Sequence, residues 1–338
     1  MESVNVTKCP SIDNFRNQVY STMYSIITVL GLLGNGFALA VLVRTYQKRS
    51  PFQVYMLNLN VSDLLCVCTL PFRILYYINR GDWYLGDFLC RVSSYALYVN
   101  LYCSVLFMSA MSVTRFLGVV YPVKSLRLVT VFRARLVCVA IWIFVCTATS
   151  PFLVQGQQVD PATNKTKCFE PPQHNSLGKF VILNYLALVV GFLLPFLVIL
   201  VCYAGIIRAL ILRKMGTRTQ RGTGIRAIRM IVIVMVTFLV SFTPYHVQRS
   251  MHLSYISHTT PCEKRIFMQK SVVVTLSLAT SNCCFDPLLY FFSGEGFRRR
   301  MSTIRGSVQK GTLIHQGKAS EPPAIDGNDA EVRKAGSG

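Results

Sequence analysis

Residues Cys90–Pro122 read CRVSSYALYVNLYCSVLFMSAMSVTRFLGVVYP. From Val92 to Thr114 the stretch carries no formal charge, and it is long enough for a bilayer crossing, which needs about 20 predominantly apolar residues. A cysteine opens it and Arg115 stands near its close. Tyr95, Tyr98 and Tyr102 fall at spacings of three and four, which puts them on one helical face. The stretch therefore reads as a membrane-spanning helix with an aromatic upper face and a charged lower end.

The surrounding chain has the same character. Its 338 residues are 52% hydrophobic and only 14% charged, against roughly 25% charged in soluble domains. Lys and Arg number 35 against 14 Asp and Glu, a formal net charge of +21. Such basicity points to nucleic acid or to anionic lipid. The basic residues lie between or after long apolar runs, so no soluble domain remains to bind nucleic acid.

The reading is an all-α integral membrane protein, a seven-helix bundle. Its spans are expected near Val19–Val43, Val54–Ile78, Phe88–Tyr121, Leu136–Leu153, Val181–Ile211, Ala227–Tyr255 and Met268–Phe292. They stay helical because a lone span in lipid must satisfy its own backbone groups. The first eighteen residues, MESVNVTKCPSIDNFRNQ, lack a basic-then-apolar leader, so the first run reads as an uncleaved anchor. No hydropathy repeat supports an inverted-repeat transporter.

Short loops set the orientation. One side carries Arg44, Lys48 and Arg49, then Lys124, Arg127, Arg133 and Arg135, then Arg213, Lys214, Arg218, Arg221 and Arg226, then Arg298, Arg299 and Arg300. The other side mixes signs, as in Arg80, Asp82 and Asp87. The basic side is cytoplasmic, which puts the N-terminus outside a plasma membrane. Cys9, Cys90, Cys168 and Cys262 share the outer side, where four cysteines allow three pairings. Asn5 and Asn164 are glycosylation acceptors on that side, whereas Asn60-Val-Ser62 lies in a span and is discounted.

Residues 1–18 are thus an outer terminus and 19–293 the membrane domain. Residues 294–305 fit a short amphipathic helix with Phe297, Met301 and Ile304 towards lipid, and equally a basic stop signal. Residues 306–338 are polar enough to stay disordered, and they hold no cysteine for a palmitoyl anchor.

Ionisable residues at membrane depth are costly and usually functional. Arg73 and Arg249 lie in the outer halves of spans two and six. With Tyr24, Tyr98, Tyr102 and Tyr245 nearby, they would hold an anionic, otherwise apolar ligand through guanidinium forks. Snorkelling to the interface is the competing reading. No acid between Arg91 and Arg115 could balance a cationic amine, and span seven has no lysine between Ser271 and Phe292 for a retinal Schiff base.

Asp63 and Asp286 lie deeper, with Asn35, Asn100, Ser104 and Asn282 as further oxygen donors. A protease dyad, an ion relay, a site for a small hard cation such as sodium, and a plain hydrogen-bond network all compete. NVSDLL and CCFDPLL lack the Gly-x-Gly-Asp setting of intramembrane carboxylate proteases, and no nucleophile or metal cluster supports an enzyme. Pro71, Pro151, Pro195, Pro244 and Pro287 are expected kink sites.

Together these marks resemble the rhodopsin-like (class A) G-protein-coupled receptors over nearly the whole chain. They include Gly34-Asn35, LNVSDLL around Asp63, Cys90 opening span three and Arg115 closing it, Trp142, Pro195, Phe242-Thr-Pro244 and Asp286-Pro-Leu-Leu-Tyr290. FRNQVYST, FQVYMLNL, YALYVNLYCS, KCFEPPQ and SNCCFDPLLYFFSG resemble the cysteinyl leukotriene branch, and most of all its type 1 members. His246-x-x-Arg249 is shared with the related nucleotide receptors.

The resemblance implies disulfides Cys90–Cys168 and Cys9–Cys262, and a carboxylate-bearing lipid agonist on Arg73 and Arg249. It implies coupling to a G protein of the q/11 class with calcium release, and traffic with arrestin and a receptor kinase. Phe238, Phe242 and Pro244 would transmit an outward swing of span six through packing with Val105 and Pro195, after which Arg115 would meet Tyr203 and Tyr290. In this sequence the acid usual before Arg115 is Thr114, the tyrosine usual after it is Phe116, the usual span-six tryptophan is Phe242 and the usual span-seven asparagine is Asp286. Arg115 therefore lacks an adjacent ionic restraint. A nucleotide receptor of the same fold is the alternative, and an ion-coupled transporter using Asp63 and Asp286 the remote one.

Overall fold

The computed structural model describes residues 9–44, 50–154, 156–161, 163–169, 177–212, 218–256 and 261–293. The amphipathic helix and tail expected beyond 293, and the acceptor Asn5, lie outside the described residues.

Seven helices are long and apolar enough to cross a membrane: Asp13–Arg44, Pro51–Ile78, Asp87–Val120, Val131–Thr149, Val181–Leu212, Ala227–His252 and Cys262–Tyr290. They are spans one to seven in chain order. Local chemistry fixes several ends. Ser50 caps span two in a reciprocal box, its hydroxyl accepting from Gln53 N at 3.2 Å while its own N–H donates to the Gln53 side chain at 3.0 Å. Thr130 caps span four by accepting from Arg133 N at 3.3 Å.

Several boundaries depart from expectation, and spans one and four begin early, at Asp13 and Val131. Span four stops at Thr149, and Pro151–Val154 forms a separate single turn, because Pro151 cannot continue the hydrogen-bond ladder. Span seven begins at Cys262, ahead of the apolar run, because polar Glu263–Arg265 lead in from a disulfide.

Spans five and six each contain a five-residue π-helical turn, Val189–Leu193 and Phe238–Phe242. Leu194 N bonds back to Val189 O, and Thr243 N to Phe238 O. Pro195 and Pro244 follow after one intervening residue, Leu194 and Thr243. A proline removes one backbone donor and crowds the preceding turn, and a widened turn accommodates both effects.

Lipid removes the hydrophobic drive between helices, so close packing is supplemented by polar side chains that tie the spans together. Asn35 Nδ2 donates to Cys283 O at 2.8 Å, joining spans one and seven. Asn60 Nδ2 donates to Asn35 O at 3.0 Å, and Trp142 Nε1 to Asn58 Oδ1 at 2.9 Å, adding spans two and four. Leu33, Ile182 and Val201 face outward.

At the end bearing the disulfides, strands β1 (Gln158–Asp160) and β2 (Lys165–Lys167) pair antiparallel, Gln158 opposite Lys167 and Asp160 opposite Lys165. Trp83 N reaches Thr166 O at 2.8 Å, so β2 is pinned to the loop after span two. Asn164 stands exposed in the hairpin turn.

Candidate functional site

A cavity of about 220 Å³ lies between spans three, four and five near the disulfide end, with span six supplying Arg249. Tyr98, Tyr102, Phe152, Asn184 and Gly191 are among its walls, which are otherwise mostly aliphatic. A β-carbon on Gly191 would come within 2.7 Å of the Tyr102 ring, so only glycine lets the π-helical turn of span five approach that tyrosine.

Arg249 is half-buried, and its Nε donates to Asn184 Oδ1 at 3.1 Å. Its guanidinium carbon sits 5.9 Å from the ring centres of both Tyr98 and Tyr245. Tyr245 is fully buried beside His246, and His246 stacks on Phe192 at 4.7 Å. Among the described residues no carboxylate pairs with Arg249. The arrangement is an apolar slot with one fixed cation, which suits an amphipathic anion.

Arg73 belongs to a neighbouring group. It is buried, donates to Ser93 O at 3.2 Å, and lies 4.0 Å beneath the ring centre of Phe169. That ring packs on an aromatic cluster containing Tyr20, Tyr24, Tyr76 and Tyr77. Tyr24 stacks on Tyr20 at 5.1 Å. Thus Arg249, Tyr98 and Tyr102 share the cavity with Tyr245 beside them, while Arg73 and Tyr24 flank a separate aromatic group. Tyr95 turns to span four, its hydroxyl donating to Cys146 O at 3.0 Å, although its spacing groups it with Tyr98 and Tyr102.

Deeper in the bundle, Asp63, Asn100, Ser104, Asn282 and Asp286 are all buried. Asn100 Nδ2 donates to Asp63 Oδ1 at 2.8 Å and approaches Ser104 Oγ at 3.5 Å. Asp63 Oδ2, both Asp286 carboxylate oxygens and both side-chain polar atoms of Asn282 have no hydrogen-bond partner among the described residues. Orphaned buried oxygens in this number fit a small hard cation.

Towards the opposite end, the Arg115 guanidinium lies 4.2 Å over the ring of Phe52. Tyr203 accepts from Ser112 Oγ at 2.9 Å, and Tyr290 donates to Met56 O at 2.9 Å. Phe238 meets Phe242 edge-on at 5.3 Å and stacks with Phe196 at 5.5 Å and Phe192 at 6.2 Å. The stack joins the π-helical turns of spans five and six, each ending two positions before its proline, Pro195 or Pro244.

Cys90 is joined to Cys168, and Cys9 to Cys262. Phe52, Phe152, Phe169 and Asn184 escaped the sequence reading. Asn184, an uncharged polar residue inside span five, carried a usable signal. The three phenylalanines gain meaning only from what they cover.

A family model described as 7 transmembrane receptor (rhodopsin family) matches residues 34–290. Cysteinyl leukotriene receptor 1 of Cavia porcellus is 57% identical over 94% of this chain and 94% of its own length. Cysteinyl leukotriene receptor 2 of Mus musculus is 40% identical over 88% of this chain and 94% of its own. The uracil nucleotide/cysteinyl leukotriene receptor of Homo sapiens is 34% identical over 96% and 84%.

Proposed function

Because the chain belongs to the rhodopsin family of seven-transmembrane receptors, we propose that it is a receptor for cysteinyl leukotrienes. Membership makes it a multi-pass membrane receptor and not an enzyme. The observation that carries the ligand reading is Arg249, a cation without a carboxylate partner among the described residues, in a mostly apolar cavity. A long lipid suits the aliphatic and aromatic walls, and a carboxylate suits the guanidinium. The 57% identity with a cysteinyl leukotriene receptor 1 supports the same choice.

In this reading the N-terminus and disulfides face outward at the plasma membrane, where Asn5 and Asn164 accept glycans. The partner inside is a G protein of the q/11 class that releases calcium, followed by a receptor kinase and arrestin. Agonist favours the signalling state only by its preference for that state over the resting one. The Phe192–Phe196–Phe238 stack couples the cavity wall to the π-helical turn before Pro244. Span six then moves, and Arg115 leaves Phe52 for Tyr203 and Tyr290. A sodium ion held by Asp63, Asn100, Ser104, Asn282 and Asp286 would supply positive charge to the buried carboxylates of the resting bundle.

The direct test is intracellular calcium in cells expressing the chain, challenged with cysteinyl leukotrienes and separately with uracil and adenine nucleotides. A leukotriene response is expected. A response to nucleotides alone would reassign the ligand, and silence with protein at the surface would overturn the reading.

Phe52 supplies a second prediction. Where relatives of this fold usually place an acid, Thr114 donates to Ala110 O at 2.9 Å, and a cation–π contact to Phe52 is one of Arg115's restraints. Such contacts contribute about 0.5–2 kcal/mol. Phe52→Ala should raise agonist-free G-protein turnover several-fold, and Phe52→Trp should leave it low. Unchanged basal turnover in Phe52→Ala would remove the contact from the restraint.

A further inference from the structure

Arg91 lies one residue past the span-three cysteine, and its side chain gathers three partners. Nε pairs with Asp87 Oδ2 at 2.5 Å, and Nη1 donates to Leu153 O and to Val154 O, each at 2.7 Å. Asp87 Oδ1 also accepts the N–H of Gln157 at 2.9 Å. Two side chains from successive turns at the start of span three therefore hold both the closing carbonyls of the Pro151–Val154 turn and the lead into β1.

Beyond these contacts the backbone of this turn is tied to span four by a bond from Leu153 N to Ser150 O at 2.9 Å. Pro151 separates it from the ladder of span four, and four residues close only one turn. Its carbonyls are the orphans of a helix C-terminus, where a guanidinium meets both hydrogen-bonding need and dipole. Phe152 sits within the turn and lies flat on Tyr98, ring centres 3.7 Å apart and planes 13° apart. Both rings line the cavity that also holds Arg249.

We infer that Arg91, oriented by Asp87, is a positioning residue that clamps the Pro151–Val154 turn so that Phe152 stands on Tyr98 as the end wall of the ligand cavity. The clamp thereby governs how the site retains an apolar ligand chain. The ligand part rests on the leukotriene reading above, and the wall itself does not. Lysine cannot replace the arginine, because a single ammonium does not offer the guanidinium's spread of donors to a carboxylate and two carbonyls at once.

The test uses the full-length receptor in cell membranes with two readouts. Thr149 lines the same cavity and is buried, so Thr149→Cys reports whether the end wall is closed. The reaction of that introduced thiol with a small membrane-impermeant reagent, corrected for the Thr149 parent, should quicken at least several-fold when Arg91→Ala or Arg91→Lys is added. Independently, radiolabelled leukotriene should leave Arg91→Ala and Phe152→Ala up to about tenfold faster than the parent, the range of one aromatic stack. The double variant should be no faster than Phe152→Ala alone, because one effect runs through the other. An unchanged thiol-modification rate in both Arg91 variants would overturn the clamp. So would off-rate effects that simply multiply. If the unsubstituted chain ignores leukotriene, the ligand reading fails, while the thiol rates still decide the wall.

Discussion

Replacing Arg249 with alanine is expected to lower leukotriene potency by about a hundredfold or more, with surface protein unchanged. Losing a charge-assisted contact to a desolvated carboxylate costs about 2–5 kcal/mol, and each 1.4 kcal/mol is a factor of ten. Arg249 already has a neutral partner in Asn184, at 3.1 Å, so the free receptor does not depend on the ligand to satisfy it. The substitution should therefore spare folding and strike binding. Arg249→Lys keeps the charge without the fork, and it should recover part of the loss. Arg73→Ala should cost less, because Arg73 lies under Phe169 and outside the cavity walls. Calcium dose–response curves matched for surface level settle the order. Equal potency of Arg249→Ala and the parent would remove the cation from the ligand contact.

Hydropathy makes a membrane bundle legible because a bilayer penalises every unpaired backbone group, so length and apolarity alone mark a span. The penalty also singles out Asp63, Asp286, Arg73 and Arg249 as residues that need a reason to be where they are. It says nothing about partners. Helical spacing groups Tyr95 with its two neighbours, but three- and four-residue spacing spreads over an arc wide enough to face two helices. Tyr95 meets span four and Tyr102 the cavity. Prolines announced irregular turns in spans five and six, and the hydrogen-bond count of those turns emerged only with the backbone. Phe152 and Phe169 were invisible for a different reason. Their roles come from loops held in place by Arg91 and by a disulfide, through contacts across long stretches of chain.

The disulfide has the broader reach, and the paired change Cys90→Ser with Cys168→Ser should reduce leukotriene binding below detection while sharply lowering surface protein. The bond spans a sequence separation of 78 residues, and closing a loop of that length is worth about 4–5 kcal/mol in unfolded-chain entropy. The local consequence is more specific. Phe169, next to Cys168, holds φ +64, a left-handed conformation costing about 1–3 kcal/mol for a residue of its kind unless its surroundings enforce it. Its enforcers are the bond itself and edge-on contacts to Tyr76 and Trp83, each 5.4 Å between ring centres. With Cys168 freed, the strained residue relaxes, Phe169 leaves Arg73, and the buried guanidinium loses its aromatic cover. Phe169→Ala keeps the bond and removes only the cover from a guanidinium that lies outside the cavity walls, so it should lower surface protein more than affinity, a cation–π contact contributing about 0.5–2 kcal/mol. Cys9→Ser with Cys262→Ser frees the lead-ins to spans one and seven and leaves Phe169 in place, so its effect should be smaller than either. Binding measured on permeabilised cells separates lost affinity from lost transport. Full affinity and parental surface level in the Cys90 and Cys168 double variant would show that the outer loop keeps its place without the bond.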